Sequence, residues 1–174
     1  MASRAVGPEG CVIAFEPAER AFRYLEQTIA HNKLTNVTAE KKAVAKSPGI
    51  VEFFELPFDP WGLSWRPEAS SMARDNMDRN AAQSYSVEAV ALDSFLDGCR
   101  PDVIKMDIEG FEVDAFEGAK RTLENCRPIL CVSIHKKPSG DGTTDDDLIP
   151  VLKQLDYDIT RMGKGNVLIA KPSL

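Results

Sequence analysis

Three short apolar runs, Cys11 to Phe15, Val103 to Met106 and Ile129 to Ile134, constrain the fold more than any other feature of the chain. Each is rich in branched side chains, is bounded by Gly, Pro or charged residues, and lacks polar alternation. Such runs are too short for buried helices and fit strands covered on both faces, as in a parallel sheet. Helical patterns follow each run. After Glu16-Pro17, residues Phe22, Leu25 and Ile29 form one apolar stripe, and Pro17 near the first turn has no N–H to leave unpaired. After Gly110, a second stripe runs through Val113, Phe116, Ala119 and Leu123. Leu148, Leu152 and Leu155 form a third, opened by Thr143-Thr144 and the acids Asp145 to Asp147, which favour a helix N-terminus. Strands alternating with helices imply right-handed βαβ units and a parallel α/β sheet. Two further strands are expected near Thr38 to Val44 and Ile50 to Leu56. Tyr157 to Thr160 and Asn166 to Ala170 read as an antiparallel hairpin turning at Gly163-Lys164-Gly165.

A chain of 174 residues suits one domain, spanning 1–174. Its net charge of −6, with basic residues dispersed among acids, argues against a nucleic-acid partner, whose phosphates attract basic patches. No apolar run approaches the roughly 20 residues that cross a bilayer, and Met1 to Gly10 has no apolar segment of a secretory signal. Cys11, Cys99, Cys126 and Cys131 form no CxxC pair, and Cys11 and Cys131 read as small hydrophobes within apolar runs. These features together describe a reduced, cytoplasmic protein. Pro57 to Ser84, with Trp61 and Trp65, is long for a connection inside a compact domain and reads either as a binding loop or as a surface excursion.

Ligands of open α/β sheets bind beyond the carboxyl ends of the strands, so the polar residues that follow the apolar runs carry the chemistry. Glu16 follows the first. Its carboxylate can accept hydrogen bonds from two neighbouring hydroxyls, or stabilise the helix N-terminus beside Pro17. Lys105-Met106-Asp107-Ile108-Glu109-Gly110-Phe111-Glu112 spans the end of the second run. On an extended strand Lys105, Asp107 and Glu109 share one side. Three ionisable groups there are costly to desolvate unless they pair with one another or serve a function. Gly110 permits a sharp turn, and Glu112 falls in the first turn of the next helix. His135 ends the third run, as a structural or a catalytic group. His31 reads as a surface or capping residue.

With these residues in place the chain resembles the FkbM methyltransferases. The resemblance rests on Val12-Ile13-Ala14-Phe15-Glu16-Pro17, Asn32 and Asn36, Lys42-Ala43-Val44-Ala45, Leu92-Asp93-Ser94-Phe95-Leu96, Asp102 through Glu112, Gly118-Ala119 and Ile134-His135. It implies a Rossmann-like class I methyltransferase sheet, mostly parallel with a C-terminal antiparallel hairpin. It also implies methyl transfer from S-adenosyl-L-methionine (SAM), usually to a hydroxyl oxygen of a small molecule or glycan. Glu16 and Pro17 would meet the ribose, Ala43 and Val44 would border the adenine, and Asp107 would lie nearest the reacting methyl and acceptor, with Glu109 and His135 as further catalytic candidates. The family pattern normally opens with a strand and a glycine-rich turn, and no GxGxG segment occurs in this sequence. Met1 to Val6 read as the tail of the helix after that turn.

The first strand of the sheet is therefore expected to be missing, leaving the strands near Val12 and Val103 without their shared neighbour. Those two strands would then pair directly, or another chain would fill the gap, or the sequence is part of a longer protein. Self-association is one consequence. Ser133 stands where the family often has an acid before the histidine. Two readings of function follow: an O-methyltransferase, and a catalytically inactive methyltransferase-like domain acting as an interaction or structural module. No metal ligand set is assigned from the sequence, although Asp107 and His135, with Glu109 reaching them, could share a divalent cation.

Overall fold

The computed structural model describes residues 2–55 and 83–173. Most of the Pro57 to Ser84 segment, including Trp61 and Trp65, lies outside the described residues. The first elements are helix α1 (Ala2–Ala5), strand β1 (Val12–Phe15), helix α2 (Glu19–His31), and strands β2 (Val37–Glu40), β3 (Ala43–Val44) and β4 (Gly49–Glu55). Strand β5 (Gln83–Val90), helix α3 (Leu92–Phe95), strand β6 (Val103–Met106), and helices α4 (Glu112–Glu117) and α5 (Lys120–Cys126) follow. The chain closes with strand β7 (Ile129–Ser133), helix α6 (Asp145–Gln154) and strands β8 (Tyr157–Met162) and β9 (Val167–Pro172).

These strands form a mixed α/β structure of three sheets among the described residues: β1-β2, β3-β5-β4 and β6-β7-β9-β8. Each sheet contains one parallel pair, namely β1 with β2, β3 with β5, and β6 with β7. The expected C-terminal hairpin is present, with β8 antiparallel to β9, and β9 antiparallel to β7 in turn. β1 and β6 do not pair with each other. Each bonds a strand on one side only, so a backbone edge of each is open among the described residues.

Burial departs from the expectation of strands covered on both faces. Leu130, Val132 and Met106 are buried, but Val103 is 59% exposed, and Lys105 and Ile129 are exposed as well. Helices therefore cover one face of this sheet, while alternate residues of the same runs face outward. An uninterrupted apolar run does not distinguish this arrangement from two-sided burial. All of β1 is half-buried, and Cys11 lies just outside it, exposed and not packed as a small hydrophobe.

The main core joins Leu92, Met106, Phe116, Leu123, Leu130, Val132, Leu148, Leu152, Tyr157 and Leu168 with buried alanines. A second cluster gathers Ala18, Ala43, Phe53, Val87 and Ala89. Phe15 and Val44 pack against the first cluster, and Phe15 meets Phe95 edge-on at 4.9 Å. The α2 stripe of Phe22, Leu25 and Ile29 is only half-buried. Pro17 precedes the N-cap, Ala18, and so stands just outside the first turn. The expected strand Thr38 to Val44 breaks into β2 and β3, because Lys42 turns back to bond the Glu40 carbonyl at 2.9 Å.

The second apolar stripe spans two helices, α4 and α5. The break falls at Gly118-Ala119, where the chain passes so close to the second sheet that a Cβ on Gly118 would stand 2.2 Å from the Ala45 carbonyl oxygen. Asp93 stabilises the restart. Its Oδ2 accepts the N–H of Arg121 at 2.9 Å, and its Oδ1 accepts the N–H and hydroxyl of Thr122, both at 2.8 Å. It thus caps α5 from a distant part of the chain. Asn36 similarly anchors the N-terminal segment, donating to the carbonyls of Ser3 and Gly7 and accepting from the Ser3 hydroxyl. Among the described residues no helix is long and apolar enough to cross a membrane.

Burial pushes the Asp93 carboxyl up, but the N–H groups of Arg121 and Thr122, the Thr122 hydroxyl and the Arg121 charge together hold it below its ordinary 3.8. A depressed folded value means that the stabilisation is complete above the unfolded value and is lost as pH falls through the folded one. Asp93→Ala is therefore expected to cost about 1–2 kcal/mol in urea unfolding at pH 7. The difference from wild type should shrink steadily once the pH drops below 3.8.

Candidate active site

The segment that follows β6 is built around a buried acid. Glu112, the first residue of α4, is 0% exposed. Its Oε1 accepts the backbone N–H of Ile108 at 3.1 Å and that of Gly110 at 3.4 Å, and lies 2.8 Å from His135 Nδ1. Burying a carboxyl group so completely is tolerable only with such donors. Among the described residues its Oε2 is buried without a hydrogen-bond partner. The turn that lets Glu112 fold back runs through Glu109 at φ 55° and Gly110 at φ 101°. Gly110 also has no room for a side chain, since a Cβ would meet the Lys136 carbonyl oxygen at 2.7 Å. The turn after β6 therefore presses against the backbone leaving β7.

His135 is fixed from its own side as well. Its N–H donates to the Thr144 hydroxyl at 3.3 Å, and its carbonyl accepts the Thr144 N–H at 2.9 Å. Thr144 is fully buried. With Nδ1 turned to Glu112, the other ring nitrogen points toward the two remaining acids: Nε2 stands 3.5 Å from Asp107 Oδ1 and 3.7 Å from Glu109 Oε2. Asp107 Oδ2 pairs with Lys105 Nζ at 2.8 Å.

The electrostatics follow from these contacts. The Glu112 carboxyl at Nδ1 raises the His135 pKa above the ordinary imidazole value, and Glu109 and Asp107 add to this against the opposing effect of burial. Partial burial pushes the Asp107 carboxyl up, but Lys105, the Ser133 hydroxyl and His135 outweigh it and hold the group below the usual carboxylate range. Asp107 is thus a ready anion at neutral pH and His135 a stronger base than a free imidazole.

Asp107, Glu109 and His135, three residues singled out from the sequence, therefore converge at the carboxyl ends of adjacent parallel strands. Glu109 does so from a left-handed turn beyond the strand, not from the strand face. Glu16 directly follows β1, and its Oε1 accepts the N–H of Ala18, the residue before α2, at 2.9 Å. Ala43 is buried in the second core cluster against Ala18, and Val44 is half-buried against the first. A cavity of about 530 Å³ is lined by Ala45, Lys46, Val51, Phe54, Phe111 and Asp114, among others. None of Glu16, Pro17, Ala43, Val44, Asp107, Glu109 or His135 lines it. The residue with the largest structural role, Glu112, did not emerge as a site residue from sequence alone. An acid at a first helical turn ordinarily faces water, and nothing in the flanking sequence sets Glu112 apart.

The model of the methyltransferase FkbM domain matches residues 1–159. The chain belongs to the FkbM methyltransferase family. A search of curated proteins returned no match. Among solved structures, the fold is similar to that of the methyltransferase FkbM from Methylobacillus flagellatus KT, with a TM-score of 0.59 and 17% sequence identity. That likeness covers 92% of this chain and 36% of the other, so the chain spans about a third of that protein's length.

Two glycines separate the effects of backbone angle and space. Gly98 and Gly110 both have positive φ, but only Gly110 faces a backbone oxygen, whereas nothing lies within 4 Å of a Cβ on Gly98. Gly110→Ala should therefore destabilise clearly more than Gly98→Ala, for which a cost of about 1 kcal/mol is expected. Paired denaturant titrations of the two variants measure the difference, and equal costs would disprove the close approach to Lys136.

Proposed function

We propose that the chain forms part of a SAM-dependent methyltransferase that methylates a hydroxyl oxygen on a small molecule or glycan. The observation that carries this reading is the convergence of Asp107, Glu109 and His135 where β6 and β7 end, within a chain of the FkbM family. Ligands of α/β sheets bind at that end. The open edges of β1 and β6 suit a Rossmann-like class I sheet in which a further strand lies between them, and the described residues supply none.

The residues present fit the cofactor in chemical type. Glu16, just past β1, is an acceptor matched to a ribose diol, with Pro17 beside it, and the backbone near Ala43 and Val44 would border the adenine, since the Ala43 side chain itself is buried. SAM supplies an electrophilic methyl group on a positively charged sulfur. The chain's own task is to orient the acceptor hydroxyl and take its proton. Asp107, nearest the acceptor in this reading, is ionised at neutral pH, while Glu112 holds Nδ1 of His135 so that Nε2 faces the same space. Positioning is the larger contribution, about 7–11 kcal/mol in favourable systems, against a typical 10²–10⁴-fold from a general base. The acceptor is a hydroxyl compound, not a nucleic acid or a membrane, and the setting is cytoplasmic.

One observation favours a second reading, an inactive module that works by association. The 530 Å³ cavity is lined by none of the proposed cofactor residues, and among the described residues β1 and β6 each leave an edge open to a partner or to a second copy. Calorimetric titration with SAM separates the two. The enzyme reading expects saturable binding that Glu16→Ala weakens about tenfold or more, the loss of at least one charge-assisted hydrogen bond. It also expects Asp107→Asn to retain SAM binding and to lose methyl transfer by roughly 10²–10⁴-fold. Absent binding by the chain favours the module. Binding indifferent to Glu16→Ala removes the ribose assignment.

A further inference from the structure

We infer that Asp107 Oδ1, Glu109 Oε2 and His135 Nε2 form a binding site for a single divalent transition-metal cation, with Glu112 orienting the histidine. The inference deepens the proposed function by giving the acceptor hydroxyl an anchor. The site itself stands on the geometry of four residues and requires neither SAM nor methyl transfer.

The three residues come from two neighbouring parts of the fold, and each offers one ligand atom within 4.8 Å of the other two. Nε2 is 3.5 Å from one carboxylate oxygen and 3.7 Å from the other. Ligands about 2.0–2.2 Å from a common ion stand roughly 3–4 Å apart, so small side-chain rotations complete a three-point face. Asp107 and Glu109 are partly open to solvent, leaving further coordination positions for water or for a substrate oxygen.

Carboxylate proximity alone does not make such a site. The histidine and its support point to a cation. A metal-binding imidazole usually turns its second nitrogen to a carboxylate or carbonyl, which fixes the tautomer and the ring plane. Here that partner is Glu112, fully buried and 2.8 Å from Nδ1. Among the described residues its second oxygen, Oε2, is buried with no hydrogen-bond partner, so positive charge at the imidazole relieves an otherwise poorly compensated acid. The His135 backbone is also held by the Thr144 hydroxyl and the Thr144 N–H, and the acids by the tight turn at Gly110. A preformed face is what a cation site needs.

The donor set selects the class of ion. Calcium takes six to eight oxygen ligands, and magnesium is held mainly by carboxylates and waters. One imidazole with two carboxylates suits Mn²⁺ or its first-row neighbours. A cation at this position would sit where the acceptor hydroxyl is expected and would lower that hydroxyl's pKa as a Lewis acid.

Titration of the SAM-free protein with MnCl₂, followed by electron paramagnetic resonance of free Mn²⁺ and by calorimetry, tests the site. One Mn²⁺ per chain is expected. Asp107→Asn and Glu109→Gln, both partly exposed and compatible with folding, should each weaken it at least tenfold. Glu112→Gln should weaken it about 10–100-fold, as loss of an orienting carboxylate does elsewhere. Asp158→Asn, an exposed acid on β8, should leave it unchanged, and circular dichroism checks that every variant is folded. Lack of saturable Mn²⁺ binding overturns the inference, as does binding that Asp107→Asn and Glu109→Gln leave within twofold of wild type. Because SAM is absent throughout, failure of the methyltransferase reading and failure of the cation site are separate results.

Discussion

The buried Glu112 side chain is the interaction on which the arrangement around β6 and β7 depends. One oxygen gathers two backbone N–H groups of the preceding turn and a ring nitrogen of a histidine just past the end of the neighbouring strand. Removing any of these donors leaves a polar group deep in the core with too few partners, which costs on the order of 1–3 kcal/mol per group. The turn at Gly110, the start of α4 and the exit of β7 are therefore one unit, not three neighbouring pieces. Asp107 and Glu109 gain their positions from it, since both belong to the stretch that Glu112 pulls against His135.

The remaining architecture serves to bring the carboxyl ends of parallel strands together. β6 and β7 pair in register from Val103 opposite Ile129 to Met106 opposite Val132, and this sets Asp107 beside Ser133 and His135. Helices α4, α5 and α6 pack the core face of that sheet through Phe116, Leu123, Leu148 and Leu152, all nearly or fully buried. The β3-β5-β4 sheet is tied in at Gly118, which touches the Ala45 backbone and whose carbonyl accepts the Asp93 N–H at 2.8 Å. Structure and family agree at the level of the α/β fold, while β1 and β6 keep one open edge each among the described residues.

Much of this was legible in the residues. The apolar runs located β1, β6 and β7, and glycines 163 and 165 located the final hairpin, because pattern and turn chemistry act locally. Grouping Asp107, Glu109 and His135 was possible because parallel strands must end at the same side of a sheet. What escaped was set by contacts between distant segments. The split of one expected helix into α4 and α5 follows from the Ala45 backbone, more than 70 residues upstream. One-sided covering of β6 and β7 depends on which elements pack above them. Strand β5 was missed although its signal was present: Tyr85, Val87 and Ala89 alternate with Ser84, Ser86 and Glu88, and Val87 and Ala89 are indeed buried while Ser86 and Glu88 are exposed. The buried state of Glu112 had no local signature at all.

Helix α4 has six residues, with the buried acid at its first position and the backbone-to-backbone contact of Gly118 just past its last. Both ends are therefore pinned to other parts of the molecule, and each helical residue turns the chain by about 100° and advances it by about 1.5 Å. Insertion or deletion of a single residue would swing one anchor away from its partner even if every side chain were kept. The span works as a molecular ruler: its letters can drift at the solvent-facing positions, but its length cannot.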